Sequence, residues 1–306
     1  MKRHSLAVGL RRHWQMYLFA LLPLIYLIVF KYVPMLGVQI AFKRYNARMG
    51  MWGSPWVGFM QFTKFFSSYQ FERVLTNTIV LSLYSLVAGF PLPIVLALMM
   101  NAMRSNRMRS FVQNVTYMPH FISTVVMVGI LNQFFNTRYG GFANIWHLFS
   151  NGKVPDLLSS ASAFTHMYVW SGVWQSMGWG SIIYMAALSN VDETLHEAAM
   201  IDGASRLQRI FCIDIPAIIP TITITLILRC GHIMGIGFDK VYLMQNNLNL
   251  RASEVIATYV YKVGLASTTS DFSYSTAISL FNSVVNLLLL LIVNTVSRKV
   301  GETSLW

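Results

Sequence analysis

The residues that could do chemistry in this chain are few, and the densest group runs from Glu197 to Pro216, EAAMIDGASRLQRIFCIDIP. Two acids, Glu197 and Asp202, stand beside Ala198, Ala199 and Gly203, and Ile213, Ile215 and Pro216 follow. Glu, Ala, Leu, Met, Gln and Arg dominate residues 193–206, which favours a short helix, and Gly203 with Ala204 leaves a surface that another backbone can approach closely. Small residues beside carboxylates suit a helix that presses into a groove of a second protein; a plain interfacial loop is the blander alternative. Catalysis finds no support. His196-Glu197 opens an H-E-x-x-H zinc motif, but Met200 stands where the second histidine would be. Gly235-Ile236-Gly237 lacks the third glycine of a dinucleotide loop, and no G-x-x-x-x-G-K-S/T run is present to cradle ATP phosphates. The chain reads as a non-enzyme, with no cofactor and no metal expected.

A second set of polar residues lies inside apolar runs, where each must face something other than lipid. Thr221, Thr225, Arg229 and His232 recur at helical spacing along one side of 215–238. Arg229 falls near mid-membrane, where a charge costs on the order of 3 kcal/mol or more; a cargo or an internal bonding partner would hold it. Ser275, Ser279, Asn282 and Asn286 form a similar stripe in 272–297, of a kind that bonds helix to helix or meets a ligand. His166, Trp170, Trp174, Met177, Ser181 and Tyr184 share a face of 162–188. Trp faces stack on sugar rings, although aromatic residues near a membrane boundary also act as anchors.

These groups need apolar helices to position them. Of the 306 residues 55% are hydrophobic and 11% are charged, against about a quarter charged in a soluble domain. Several uncharged runs exceed the roughly 18 residues that mark a transmembrane helix. The expected fold class is an all-α membrane protein of six spans, at about 14–30, 74–103, 110–136, 162–188, 215–238 and 272–297. They form one domain, 14–306, behind a basic tail, 1–13, with the polar segment 189–214 between spans four and five. Residues 31–73 read as an external segment of interfacial or re-entrant pieces. Pro91 and Pro93 kink span two, their freed carbonyls satisfied by neighbouring helices, and Pro216 opens span five, where a missing N–H costs nothing. The first apolar run follows Arg11-Arg12 without a small-residue cleavage site, so it reads as a span and not a signal peptide.

Arg104, Arg107 and Arg109 make a short basic loop, and the positive-inside rule puts it, the polar segment and both termini in the cytoplasm. The net charge of +12 then reflects topology and anionic lipid headgroups; nucleic acid is excluded, since no basic patch sits on a soluble fold. Cys212 and Cys230 would lie about 27 Å apart along one helix, beyond disulfide reach.

The ordered spacing of Glu197-Ala198-Ala199, Gly203, Ile213 and Ile215-Pro216 resembles the EAA signature of permeases in binding-protein-dependent, type I ABC importers, with Ile215 where that family usually has Leu. The segments Ser54-Pro55-Trp56-Val57-Gly58, Tyr117-Met118-Pro119-His120-Phe121, Thr258-Tyr259-Val260-Tyr261 and Leu305-Trp306 look like the branch that imports oligosaccharides or polysaccharides in Gram-positive bacteria. The resemblance implies that Glu197, Ala198, Ala199, Asp202 and Gly203 belong to a coupling helix that docks on the ATPase. It also implies a multi-pass protein of the bacterial cytoplasmic membrane with a second homologous permease as heterodimer partner, two ATP-binding subunits at the cytoplasmic face and an extracellular substrate-binding lipoprotein. An oligosaccharide would then pass near Trp170, Trp174, Tyr184, Arg229, His232, Asn282 and Asn286. Two other classes stand beside this one. An importer of another small solute would share the EAA loop, and a secondary transporter would need intramembrane acids, which the six runs lack.

Overall fold

In the computed structural model of the chain, all regular elements among the described residues are helices. The structure describes residues 14–150 and 152–301; the basic tail 1–13 and the Leu305-Trp306 terminus lie outside the described residues. By its contacts the chain divides into two compact units, where the sequence reads as one domain. Among the described residues, 262–280 return to pack with 14–67, and the rest, 68–261 with 281–301, forms the larger unit.

In the smaller unit, α1 runs from Trp14 to Phe42, well past the end expected near Phe30. Pro34 would break a regular α-helix; instead the turn Ile28–Tyr32 widens to π geometry just before it and Leu36–Phe42 tightens to 3-10. No residue in the most apolar window of α1 is buried within the chain, so its surface is left for lipid or for another subunit. The segment that follows is an ordered knot rather than a loose loop. It carries α2, Gly50–Gly53, and α3, Met60–Phe66, and a single antiparallel bridge joins Lys43 to Trp56. Lys43 is buried, donating from Nζ to the Met51 carbonyl at 2.9 Å and lying 4.9 Å from the Trp56 ring centroid. Lys64 pairs with Asp271 at 2.8 Å, and the Tyr45 amide donates to Ser273 Oγ at 2.8 Å.

The larger unit comprises α4 (Tyr69–Gly89), α5 (Pro91–Asn101), α6 (Asn106–Tyr117), α7 (Thr124–Phe134), α8 (Gly141–Phe149), α9 (Ala161–Leu188), α10 (Glu193–Ile201), α11 (Arg206–Cys230), α12 (Phe238–Met244), α13 (Leu250–Ser253), α14 (Ile256–Tyr261) and the later part of α15 (Phe272–Gly301). Its central helix is α9, which packs on α4, α5, α6, α11, α12 and α13. Leu81, Val128, Phe164, Val169, Val173 and Val241 fill one core around it, and Ala97, Leu98, Tyr184, Leu188 and Ile218 fill another. Gly178 is where α9 meets α6: a Cβ there would sit 2.1 Å from the Thr116 carbonyl oxygen, so no side chain fits. Arg73 pairs with the buried Glu254, and Asn77 Nδ2 donates to the carbonyls of Arg251 and Glu254 at 2.9 and 3.0 Å, fastening α13 to α4.

The spans also differ in detail from the six runs. Among the described residues four helices are long and apolar enough to cross a membrane, Trp14–Phe42, Tyr69–Asn101, Arg206–Cys230 and Phe272–Lys299, and the pair α6 and α7 makes five if it counts as one. That pair is bent by 97°, so the run 110–136 is not one straight helix. Pro119 removes the N–H that would bond Val115, the chain tightens to a 3-10 turn over Met118–Phe121, and Ser123 caps a fresh helix by accepting from the Val126 amide at 3.3 Å. The remaining run, 162–188, is α9, whose 28 residues exceed bilayer thickness. Its three Trp with Ser, Gly, Gln and His make it too polar to stand among the apolar spans.

Candidate functional site

Two places in the larger unit carry the residues of interest. The first is α10 and the turn after it. Asp192 caps α10, its Oδ1 accepting from the Thr194 amide at 2.9 Å. That bond and the Thr194 hydroxyl hold the Asp192 carboxyl below its ordinary value. The helix closes with a Schellman turn: the Ala204 amide donates to the Ala199 carbonyl at 2.8 Å, and the Gly203 amide to the Met200 carbonyl at 3.1 Å. Gly203 has φ +79°, with open space around its missing Cβ, so the glycine of the motif is required by backbone conformation and not by crowding. A capping box then starts α11, with Ser205 Oγ accepting from the Gln208 amide and Gln208 Oε1 from the Ser205 amide. Pro216 stands in the first turn of the α-helical stretch Ile215–Cys230, as the sequence suggested, and the π turn Ile210–Asp214 joins that stretch to Arg206–Arg209 within the longer α11.

Glu197, Ala198, Asp202 and Gly203 are exposed and Ala199 is half-buried. Around them Leu195, Met200, Ile201 and Leu207 are exposed too, Ile201 by 87%. A polar segment that holds large apolar side chains in the open is a surface shaped for another protein. One internal clasp ties it to the bundle. Asp214 is buried, its Oδ1 lying 3.3 Å from His196 Nε2 on α10 and accepting from Asn101 Nδ2 of α5 at 3.3 Å.

The second place is a cavity of about 480 Å³ walled by α4, α9, the end of α11 and the turn that follows, with Ser82, Ser85, Tyr168, Arg229 and His232 as its polar lining. α11 stops at Cys230, so His232 is not a helical position in line with Arg229; a non-helical turn brings it to the wall. Arg229 Nη1 donates to the Gly89 carbonyl at 3.3 Å, and its guanidinium lies 5.8 Å from the Phe90 ring centroid. That carbonyl is orphaned because its helical partner four residues on is Pro93, which has no N–H. A kink in one helix is thus satisfied by an arginine from another.

The remaining path residues separate. Trp170 and Trp174 are about half exposed on α9, and Trp170 Nε1 donates to Tyr84 Oη at 2.9 Å, which fixes the ring and leaves its face free. Tyr184 is only 3% exposed; its Oη and Thr225 Oγ1 lie 2.9 Å apart, so it is a packing residue rather than a wall residue. Asn286 Oδ1 accepts from the Met234 amide at 2.9 Å and Asn282 Nδ2 donates to the Met234 carbonyl at 3.4 Å. Together they hold the unwound 231–237 stretch in place behind the cavity. Sequence reasoning misses Ser82, Ser85, Tyr168, His196 and Asp214, since single hydroxyls on apolar helices and one acid between two isoleucines carry no pattern of their own.

The fold and the exposed EAA segment define a permease subunit of the type I ABC importer class. The chain belongs to the family of binding-protein-dependent transport system inner membrane components, whose pattern matches residues 89–302. It is 40% identical to protein LplB of Bacillus subtilis over 99% of this chain and 94% of that one. It is also 39% identical to the polygalacturonan/rhamnogalacturonan transport system permease protein YteP of the same organism, over all of this chain and 94% of that one. Among solved structures it is similar to a chain of a bacterial ABC transporter involved in the import of the acidic polysaccharide alginate. That likeness has a TM-score of 0.88 at 36% identity, covering 97% of this chain and 99% of that chain.

Proposed function

We infer that this permease moves an oligosaccharide across the bacterial cytoplasmic membrane, driven by ATP hydrolysis in separate subunits. The observation that carries the reading is the α10 segment, a locally capped helix with Glu197 and Ala198 exposed beside Met200 and Ile201. In this reading α10 docks on the ATPase, with Glu197, Ala198, Ala199, Asp202 and Gly203 as its coupling surface. Closure of the ATPase dimer pushes α10, and the clasp of His196, Asp214 and Asn101 passes the push to α5 and α11. The cavity by Arg229 and the faces of Trp170 and Trp174 lie on the cargo's route, while Asn282 and Asn286 support that route from behind. Both termini and α10 face the cytoplasm. A second homologous permease completes the translocation path, two ATP-binding subunits sit beneath it, and a surface lipoprotein delivers the sugar. Support for a carbohydrate cargo comes from the permease of B. subtilis and the alginate importer, both named for polysaccharides.

The test is to purify the chain from its native membrane and identify what comes with it by mass spectrometry. An ATPase, a second permease and a lipoprotein that binds glycans are the expected companions. A lone oligomer without an ATPase would sink the reading.

A further inference from the structure

We propose that the cargo is acidic: its carboxylate is received by Arg229, and its hydroxyls by Ser82 and Ser85, in the cavity between α4, α9 and the end of α11. This rests on the oligosaccharide reading above and names the class of sugar.

Arg229 has more donors than the fold uses. A guanidinium carries five N–H groups in a planar fork, and one of them, on Nη1, meets the Gly89 carbonyl. Satisfying that carbonyl does not require an arginine, since any side-chain N–H of similar reach would do it. The side chain is nevertheless exposed at the cavity wall. Among the described residues no acid pairs with it, and no Asp or Glu lines the cavity. A charge at this depth costs on the order of 3 kcal/mol unless it is paired or hydrated. His232 adds a further nitrogen-bearing ring to the same wall. Lys240 stands behind it, with Nζ donating to the Tyr168 carbonyl at 2.9 Å and lying 4.9 Å from the Tyr168 ring centroid. Apart from Arg229 and His232 the lining is hydroxyl-bearing or apolar, and no Asp or Glu in it balances the Arg229 charge.

Ser82 supplies the second, independent observation. It is 6% exposed, lines the cavity, and its Oγ has no hydrogen-bond partner. Hydroxyls on helices usually bond a carbonyl one turn back. Here Thr78 does so to Val74 at 2.6 Å, Ser176 to Gly172 at 2.8 Å and Thr225 to Thr221 at 2.7 Å. Ser82 stands one turn after Thr78 on the same helix and does not follow it. A buried, unbonded hydroxyl costs about 1–3 kcal/mol; Ser82 Oγ is closed off as it stands, and a bound polyol would recover that cost once the side chain turns toward the cavity. A planar cationic fork for a carboxylate, with serine hydroxyls beside it, suits a uronic acid unit. A volume of about 480 Å³ lies in the roughly 300–1,000 Å³ range of small-molecule sites.

The experiment uses the whole importer, with both permeases, ATPases and lipoprotein, reconstituted in proteoliposomes. The cargoes are uronate trisaccharides of several linkages and their methyl esters, equal in length and neutral in charge. Each variant's uptake is divided by the wild-type rate for the same cargo, which cancels the lipoprotein's own preference. For Arg229→Gln the ratio is expected to fall about tenfold further for the acid than for its ester, the worth of one charge-assisted contact. Arg229→Lys keeps the charge and loses the fork, and should show a smaller difference of the same sign. It decides the matter if Arg229→Gln fails to insert. Ser82→Ala should slow acid and ester alike. Equal losses of acid and ester in both Arg229 variants would overturn the proposal, leaving Arg229 as the donor for the α4–α5 kink or the partner of an acid on the second permease. Wild-type uptake of esters but not acids would overturn it too. If the assembled wild-type importer moves no sugar of either kind and is driven by another solute, the oligosaccharide reading itself fails and takes this one with it.

Discussion

The α10 segment and the cavity wall are built from opposite materials. Around α10 almost every bond joins residues within five positions: Asp192 to Thr194, Ala204 to Ala199, Ser205 to Gln208. At the cavity the bonds that matter reach far along the chain, 140 positions from Arg229 to Gly89 and 52 from Met234 to Asn286. The difference suits the two tasks proposed for them above. A segment that transmits a push must keep its shape while the bundle rearranges, and local bonds survive such movement. A wall that opens and closes around cargo must change when helices shift, and long-range bonds between helices do change. His196, Asn101 and Asp214 stand where the two regions meet, since their side chains join α10 to the bundle.

The comparison can be broken in several ways. The largest effect is expected at the exposed surface of α10. Glu197→Ala should leave insertion intact and reduce ATP-coupled uptake about tenfold, the size of an ordinary coupling energy; unchanged uptake would remove α10 from the coupling path. Next is the wall. Asn286→Ala leaves the Met234 amide without its acceptor at a cost of about 1–3 kcal/mol, so the purified complex should melt earlier, with ATPase docking unaffected. An unchanged melting curve would mean that the 231–237 turn holds itself. Gly203→Ala puts a Cβ on a residue at φ +79°, worth about 1–2 kcal/mol, and should weaken coupling only partly because the space around it is open. A loss as deep as that of Glu197→Ala would show that α10 has no margin of local stability.

The smallest effect concerns pH. The Asp192 carboxyl is held below its ordinary value by Thr194, so its cap is fully present above the usual carboxylate range, near about 4, and is lost only as pH falls through the lowered value. Uptake should therefore show no step from this group between roughly pH 5 and 8, and Asp192→Asn, a comparable cap, should stay within about twofold of wild type. A step in that window that vanishes in Asp192→Asn would refute the capping account.

Reading the chain alone went furthest where structure is local. A short helix within 193–206 was legible from residue types, and it runs over Glu193–Ile201, whereas Gly203 reads as a place of close approach and is instead the left-handed residue that ends it. The prolines were harder. Pro91 and Pro93 follow an interruption of the α-helix at Phe90, whereas Pro216 and Pro34 follow π turns, and nothing in residue type separates the two outcomes. His232 looks like one more step on the Arg229 face because Arg229 reads as a residue needing a partner and not, with Gly231 just after Cys230, as the sign of a helix end.

What the sequence determined by itself was the class of molecule, its apolar helices, the α10 segment and the need of Arg229 for a partner, since hydropathy, helical period and charge cost are properties of residues and their near neighbours. Only the tertiary structure decided that the partner begins with the Gly89 carbonyl, that Tyr184 is packed away, that Asn282 and Asn286 brace a turn, and that Ser82 is left unbonded at a cavity. Each of those depends on which distant backbone groups a helix end or a proline has set free, and that is known only once the helices lie against one another.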